Sequence, residues 1–475
     1  MTGAGREARP SGPAGSETGV AEAETEADSV ADVDRPAAGG RSGADVVLSV
    51  AAVVAAACSY STTGRFFNQI AVGVGAIALL VALLIGWQPA RFRRRTLVIA
   101  LVLSIGVQLY KPPIGNVARV WGFHGVLWLT ALATAAVGIA ALIPAGRSRL
   151  RLLWPSLATL GLTEIAIVAW SRRPEIDVWQ IFQQASAGLL HGVNPYAVSY
   201  AHIPAGQTAS CFNYLPVTFL SVWPGWAIFD DVRYAEVAVL LAGFGVLART
   251  MVVRTPDARQ RSDALLLLGL AMSLTGTLRV GQQAWNESLL LGFLLLGCCA
   301  LTSGRTVWAV LLFGLALATK QHIVLLLPVL AMWPRFGWRR AAGTAGVAAL
   351  ISAPWVFANP HRFKGCTVDF FTHGIARFDS ISLWHFLPSA IAPAVPVLAL
   401  LGGYWLVYRR IDRSPGGLLV GCAVALFAFD LFNKQSFENQ WWFVCELLVC
   451  GVALSVAGIV ERASDDEPEP AAIAG

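Results

Sequence analysis

EIDVWQIFQQASAGLLHGVNPY, running from Glu175 to Tyr196, is a polar stretch set between long hydrophobic runs. It opens on two carboxylates, Glu175 and Asp177. It continues as an amphipathic helix, with Val178, Phe182, Ala185 and Leu189 on one face, and stops at a Gly192, Asn194, Pro195, Tyr196 turn. Backbone of this kind has no place exposed to hydrocarbon, where unpaired amide groups are costly. The stretch therefore belongs on a membrane surface, and the runs around it belong in the membrane.

Working outward, runs of roughly twenty apolar residues recur along almost the whole chain, each long enough to span a bilayer. The 475 residues are 56% hydrophobic and 13% charged, against about 25% charged in a soluble domain. The runs lack the alternation of barrel strands, which leaves helices. Fourteen or so hydrophobic segments are expected, at roughly 45–61, 68–88, 96–110, 122–144, 152–170, 214–229, 235–253, 264–279, 287–302, 306–333, 341–358, 388–408, 416–432 and 440–460. The run at 306–333 is interrupted by Lys320, Gln321 and His322 and reads as two short helices. The run at 214–229 holds Pro216 and Pro224 and reads as a dip rather than a crossing.

The net charge of +6 is no nucleic-acid signal. Its basic residues gather in short turns, Arg91–Arg95, Arg147–Arg151 and Arg335–Arg340, as orientation by positive cytoplasmic loops requires. That rule places the segment from Ser171 outside, and both termini inside. Residues 1–44 and 461–475 lack large apolar side chains and read as disordered cytoplasmic tails. Between them lie N-terminal helices (45–170), a first outer loop (171–234), a core (235–358), a second outer loop (359–387) and C-terminal helices (388–460). Most of the eight cysteines fall inside spans as small apolar residues. Cys211 and Cys366 both fall in outer loops, where a disulfide between them is compatible with the compartment.

Several residues carry possible chemistry, each with a plainer reading beside it. Asp177 is placed either to cap the helix after it or to act as a general base at the mouth of an apolar groove, with Glu175 in reserve. Arg233 reads as an interfacial anchor or as a clamp on a lipid phosphate. Gln282 lies in a polar island, Arg279 to Glu287, that is either a loop or a cavity wall. Lys320, Gln321 and His322 interrupt hydrocarbon, where a charge is costly without a partner; Glu287 is the acidic partner at hand, a lipid phosphate the alternative. Lys434 and Gln435 flank the last span. The second outer loop interleaves aromatics with His361, Arg362, Lys364, His373, Arg377 and Asp379, a mixture suited to sugar or phosphate. A free histidine side chain has its pKa close to neutrality, so His373 qualifies as acid or base. Asp369 and His373 lack the His-Glu-x-x-His spacing of a metal site.

These pieces resemble the membrane glycosyltransferases of the GT-C class, which use polyprenyl-phosphate sugars. They are most similar to the bacterial mannosyltransferase family numbered eighty-seven. The resemblance runs over about 165 to 445. It rests on Asp177 followed by Leu189, Leu190, Gly192 and Asn194-Pro195-Tyr196; on Tyr214-Leu215-Pro216; on Gly281-Gln282; on Ala318-Thr319-Lys320-Gln321; and on Asn433-Lys434-Gln435 with Asn439. That family's aspartate follows the first span, whereas four more spans precede Asp177. The resemblance implies an all-α polytopic membrane protein, a GT-C-like bundle of about 12–14 transmembrane segments with short amphipathic helices in two large outer loops. It implies Asp177 as base, and substrate contacts at Asn194, Tyr196, Arg233, Gln282, Lys320, Gln321, His322, Lys364, Lys434 and Gln435. The donor would be a polyprenyl-phosphate sugar, the acceptor an extracytoplasmic glycolipid or glycan, the location a bacterial plasma membrane, with no cofactor and no metal. The rival reading is a transporter or lipid flippase. Against it, the polar residues gather in two loops on one side, not at the midplane of paired broken helices.

Overall fold

The computed structural model describes residues 43–61, 73, 75–77, 92–112, 120–171, 173, 174, 176–203, 207–209, 211–373 and 380–459. Glu175, Arg377, Asp379, most of the expected span at 68–88 and both terminal tails lie outside these residues.

The described chain is all-helical apart from one small hairpin. Its longer helices are α1 (Gly43–Ser61), α2 (Arg94–Tyr110), α3 (Val120–Leu142), α4 (Arg147–Trp170), α5 (Asp177–Leu190), α6 (Pro216–Phe229) and α7 (Arg233–Arg254). There follow α8 (Ala258–Ala271), α9 (Glu287–Thr302), α10 (Thr306–Leu317), α11 (Gly337–Ala358), α12 (Val395–Arg410), α13 (Pro415–Asp430) and α14 (Glu438–Val456). Strands β1 (Tyr200–Ile203) and β2 (Gln207–Ala209) pair antiparallel between α5 and α6; hydropathy carried no sign of them. Among the described residues, five stretches are long and apolar enough to cross a membrane: Trp121–Leu142, α4, α7, α11 and α14.

α14 is the axis of the bundle, 94% buried over its apolar window, with α1, α8 and α13 packed around it. α7 and α9 run side by side because small residues let them approach. A Cβ added to Gly243 would come within 2.9 Å of the Gly292 Cα, the close packing on which helix association in lipid depends.

Ion pairs and caps define two ends. At one, the fully buried Arg149 at the start of α4 donates to Asp263 (2.6 Å) and Ser262 (2.9 Å) of α8. The Arg413 guanidinium lies 5.2 Å from the Trp333 ring. The basic turns around residues 147–151 and 254–261 thus share one end. At the other, Arg233 at the start of α7 donates to the Val168 carbonyl near the end of α4 (3.4 Å). α4 therefore arrives at this end and α7 departs from it, with α6 between them in the chain. At fourteen residues α6 is about 21 Å long, short of the roughly 30 Å hydrocarbon layer.

The run expected at 264–279 ends earlier. α8 stops at Ala271, the chain turns through Gly276 at φ +107°, and a one-turn helix Thr277–Gln282 follows. Polar residues explain the break. Ser273 and Leu274 carbonyls accept from Gln108 Nε2 of α2 at 3.1 and 3.3 Å, so the freed backbone is bonded inside protein rather than exposed to lipid. The run at 306–333 divides at Lys320, as read: α10, then a 3-10 turn Gln321–Leu326, then a short helix Leu327–Met332.

Candidate active site

The loop end is closed by cross-links between segments far apart in sequence. Cys211 and Cys366 form a disulfide, their Cα atoms 5.8 Å apart, joining the first loop to the second. Around it packs an aromatic cluster. Tyr196 meets Phe363 at a tilt (4.7 Å between centroids), while Phe219 and Trp355 (4.9 Å), Phe212 and Phe219 (5.2 Å) and Phe182 and Tyr214 (5.1 Å) meet edge to face. The C-terminal region joins them. Ile381 N donates to the Ser436 carbonyl (2.7 Å), and Lys434 Nζ to the Thr372 carbonyl (2.9 Å).

Hydrogen bonds join three of the sequence pieces behind the resemblance here, those holding Tyr196, Tyr214 and Ala318–Gln321. Tyr196 Oη donates to the Tyr214 carbonyl at 2.8 Å. Leu215 N and Val217 N donate to the Thr319 and Ala318 carbonyls at 3.2 and 3.0 Å. Gln321 Nε2 donates to the Asn213 carbonyl at 2.9 Å, and Arg233 Nη1 to the Gln282 carbonyl at 2.9 Å. Asp430, just before Asn433, interacts electrostatically with Lys320 and Glu287.

Asp177 sits at the edge of this assembly. It is the first residue of α5, exposed, with Oδ1 accepting from Val178 N at 2.9 Å. Ile176 holds the cap position with no side-chain bond, so Asp177 is not the N-cap of its helix. The buried face of α5 is Trp179, Ile181, Phe182, Ala185 and Ser186. Val178 and Leu189 are only half-buried, so the helix is rotated from the face expected. Trp179 Nε1 donates to Asp231 (3.2 Å) and Gln183 Nε2 to the Asp230 carbonyl (2.9 Å), which fixes the turn carrying Asp177.

Tyr214 lies within electrostatic reach of Asp177. Burial, then the negative charges of Asp177, Glu287 and Glu236, push its phenol well above the ordinary range. Lys320 Nζ lies 5.8 Å from the Tyr214 ring and 2.5 Å from Glu287 Oε1. Several buried side-chain atoms of residues in or next to these segments have no hydrogen-bond partner among the described residues. They are both Glu236 oxygens, Glu287 Oε2, Asn213 Oδ1, Gln321 Oε1, His322 Nε2 and Asp430 Oδ1. Buried polar groups are rarely left so. Mixed acceptors and a lysine in one place suit a hydroxyl-rich ligand.

Several residues expected at the substrate have partners within the protein. Arg233 is fully buried and held by Asp231 (2.5 and 2.9 Å), Gln282 and Val168. Asn194 Oδ1 accepts from Tyr196 N at 3.0 Å, a self-made turn, and Tyr196 is wholly inside the aromatic cluster. Gln282 is fully buried, bonded to Ser171 Oγ at 3.0 Å. Lys364 is on the surface, paired with Asp369 at 2.6 Å. His373, 80% exposed, stands 3.8 Å from Asp369; no described contact joins it to Asp177, and no third metal-ligating side chain joins the two among the described residues. The Gln435 carbonyl accepts from Asn433 Nδ2 at 2.7 Å, which shapes the turn beside Lys434.

Sequence reading passed over Glu236, Asp430, Glu164 and Glu446, all fully or almost fully buried. The available signal was simple: a carboxylate inside an apolar run is costly and marks a site by default. Glu446 accepts from Thr277 Oγ1 at 3.2 Å, which accepts from Trp442 Nε1 at 3.0 Å. This second polar group lies behind the broken segment, beside Gly281.

No protein-family model matches the chain. An undecaprenyl phosphate-alpha-4-amino-4-deoxy-L-arabinose arabinosyl transferase of Erwinia tasmaniensis is 27% identical over 176 residues, 34% of this chain and 30% of that one. The chain thus spans less than a third of that relative's length. Among solved structures, ArnT from Cupriavidus metallidurans bound to undecaprenyl phosphate gives a TM-score of 0.44 at 18% identity, over 64% of this chain and 60% of that one. The apo state of ArnT gives 0.36 at 22%, over 59% and 55%. Likeness at these scores assigns no residue a role.

The disulfide makes a directional expectation. Cysteines introduced at exposed His191 and Lys364, one in each loop, are expected to react alike with an impermeant maleimide on intact cells. Reaction at one position and not the other would contradict the shared end.

Proposed function

We propose that the protein is a membrane glycosyltransferase of the GT-C kind, moving a sugar from a polyprenyl-phosphate donor to an acceptor at the outer membrane face. The observation that carries this reading is the convergence at one bundle end. Supporting it, the exposed carboxylate of Asp177 acts electrostatically on buried Tyr214, as do Glu287 and Glu236, and Lys320 Nζ lies 5.8 Å from the Tyr214 ring. The name of the sequence relative, a transferase of an undecaprenyl phosphate-linked sugar, agrees in donor chemistry. Mannose is the sugar the sequence resemblance favours.

The chemistry then follows. The donor's tail lies in the hydrocarbon, and its sugar enters the polar region, where Glu236, Asn213 and Gln321 offer acceptors to hydroxyl groups. Asp177 takes the acceptor's proton as its oxygen bonds to the anomeric carbon. The bond from that carbon to phosphate oxygen breaks, and the lipid phosphate leaves with the electron pair. A single displacement inverts the anomeric centre. Lys320 leaves Glu287 to meet the departing phosphate, whose growing charge it stabilises.

The test is transfer by purified protein from polyprenyl-phosphate mannose, with the 4-amino-4-deoxyarabinose donor in parallel and a membrane lipid extract as acceptor. Transfer from the first, with inversion, supports the full reading. Transfer only from the second keeps the reaction and removes mannose. Transfer from neither rejects it and favours a transporter.

Lys320→Ala separates two roles of the lysine. The loss of a buried partner leaves Glu287 uncompensated, so the melting temperature is expected to fall. The Michaelis constant for the donor is expected to rise more than that for the acceptor. A lower melting temperature with an unchanged donor constant would reduce Lys320 to a packing role.

A further inference from the structure

The second loop holds a cationic surface that orientation by positive inside loops does not explain. Directly after α11 ends at Ala358, the chain forms a short helix Pro360–Lys364, a π-turn Gly365–Asp369 and a further turn to Thr372. The Asn359 side chain caps it, accepting from Arg362 N at 3.1 Å. His361, Arg362, Lys364 and His373 are all exposed on this segment, and Lys434 is bonded to its Thr372 carbonyl. Asp369 is the acidic side chain of the segment, and it pairs with Lys364. Neither Arg362 nor His361 has an ion-pair partner among the described residues. Beside the cations stand exposed apolar side chains, Phe357 at 84%, Val368 at 46% and Phe370 at 43%.

Position decides what these side chains meet. Phe357 is the last residue but one of a helix long and apolar enough to cross a membrane, so the segment emerges at the lipid–water boundary. There, aromatic and aliphatic side chains enter the acyl edge while cations reach the headgroups. The Cys211–Cys366 disulfide and the contact of Phe363 with Tyr196 tie the segment's inner face to the first loop. Its outer face is left for the bilayer.

We propose that residues 357–373 form an interfacial anchor that binds the headgroups of anionic phospholipids in the leaflet at the loop end. Phe357, Val368 and Phe370 enter the acyl boundary, and Arg362 and Lys364, with His361, meet the phosphate-bearing headgroups. The anchor holds the disulfide-linked loops flat against that leaflet. It stands apart from the transferase reading, because it needs no turnover and no sugar.

Hydrogen–deuterium exchange of the full-length protein tests it, in nanodiscs of phosphatidylcholine alone and with phosphatidylglycerol added. Backbone amides of 357–373 are expected to exchange several-fold more slowly with phosphatidylglycerol. The H361Q/R362Q/K364Q variant is expected to lose that difference, since each basic residue near an anionic surface is worth about 1 kcal/mol, or roughly fivefold. Unchanged exchange elsewhere in the variant shows that it is folded. Should it misfold, 0.5 M salt on the wild-type protein is expected to remove the same protection by screening. Equal exchange in the two nanodiscs overturns the proposal. So does equal protection by inorganic phosphate in phosphatidylcholine, which would mean a free-anion site, or protection seen only with the acceptor extract, which would mean a substrate surface.

Discussion

The Asp177→Asn protein is expected to fold, insert and bind donor, and to transfer sugar 10²–10⁴-fold more slowly, the range for loss of a general base. The structure makes this a clean substitution. Asp177 is exposed and makes one described hydrogen bond, to Val178 N, which an asparagine oxygen also accepts. α5 is held by Trp179 on Asp231 and Gln183 on Asp230, not by Asp177. Packing therefore gives little reason for the substitution to unfold anything. Donor and acceptor Michaelis constants are expected to change little beside kcat. Near wild-type turnover in the purified variant would remove Asp177 from the chemistry. Glu236, which shares Tyr214 as a neighbour, would then be the next carboxylate to substitute.

Arg233→Ala is expected to destabilise the protein by about 3–5 kcal/mol, the usual effect of breaking a buried ion pair from one side. Three connections fail together. Asp231 loses its partner, and the Gln282 and Val168 carbonyls lose donors at the meeting of α4, α7 and the Thr277–Gln282 turn. Glu236, one turn along α7, also loses the nearest positive charge acting on it. Unfolding followed in detergent measures the effect. A variant as stable as wild type but with a raised donor constant would restore Arg233 as a phosphate ligand.

Much of the architecture was legible because the bilayer imposes it. Apolar runs gave helices such as α9 at the bounds expected, and the Lys320 interruption gave a real break between α10 and the 3-10 turn. The run at 214–229, with its two prolines, forms a helix of only fourteen residues. Side-chain partnership was not legible. An arginine beside Asp230 and Asp231 looks like a surface anchor until the fold buries it between three helices. Asn194-Pro195-Tyr196 looks like a recognition motif, yet it builds a turn and sends Tyr196 into an aromatic core. The Cys211–Cys366 link could be allowed but not assigned, since a pairing across 155 residues depends on which loops meet. The buried carboxylates Glu236 and Glu446 were hidden by their own apolar surroundings, which lower attention to them while raising their cost.

The central claim is that Asp177 and Lys320 serve one reaction centre fed by a lipid-linked sugar. A cryo-electron microscopy map of the protein with a non-hydrolysable polyprenyl-phosphonate sugar tests it directly. The account predicts a lipid density reaching the loop end, its phosphonate within hydrogen-bond reach of Lys320 and its anomeric carbon facing Asp177. Density for the lipid elsewhere on the bundle, with the Lys320–Glu287 pair intact and Asp177 facing only solvent, would contradict it.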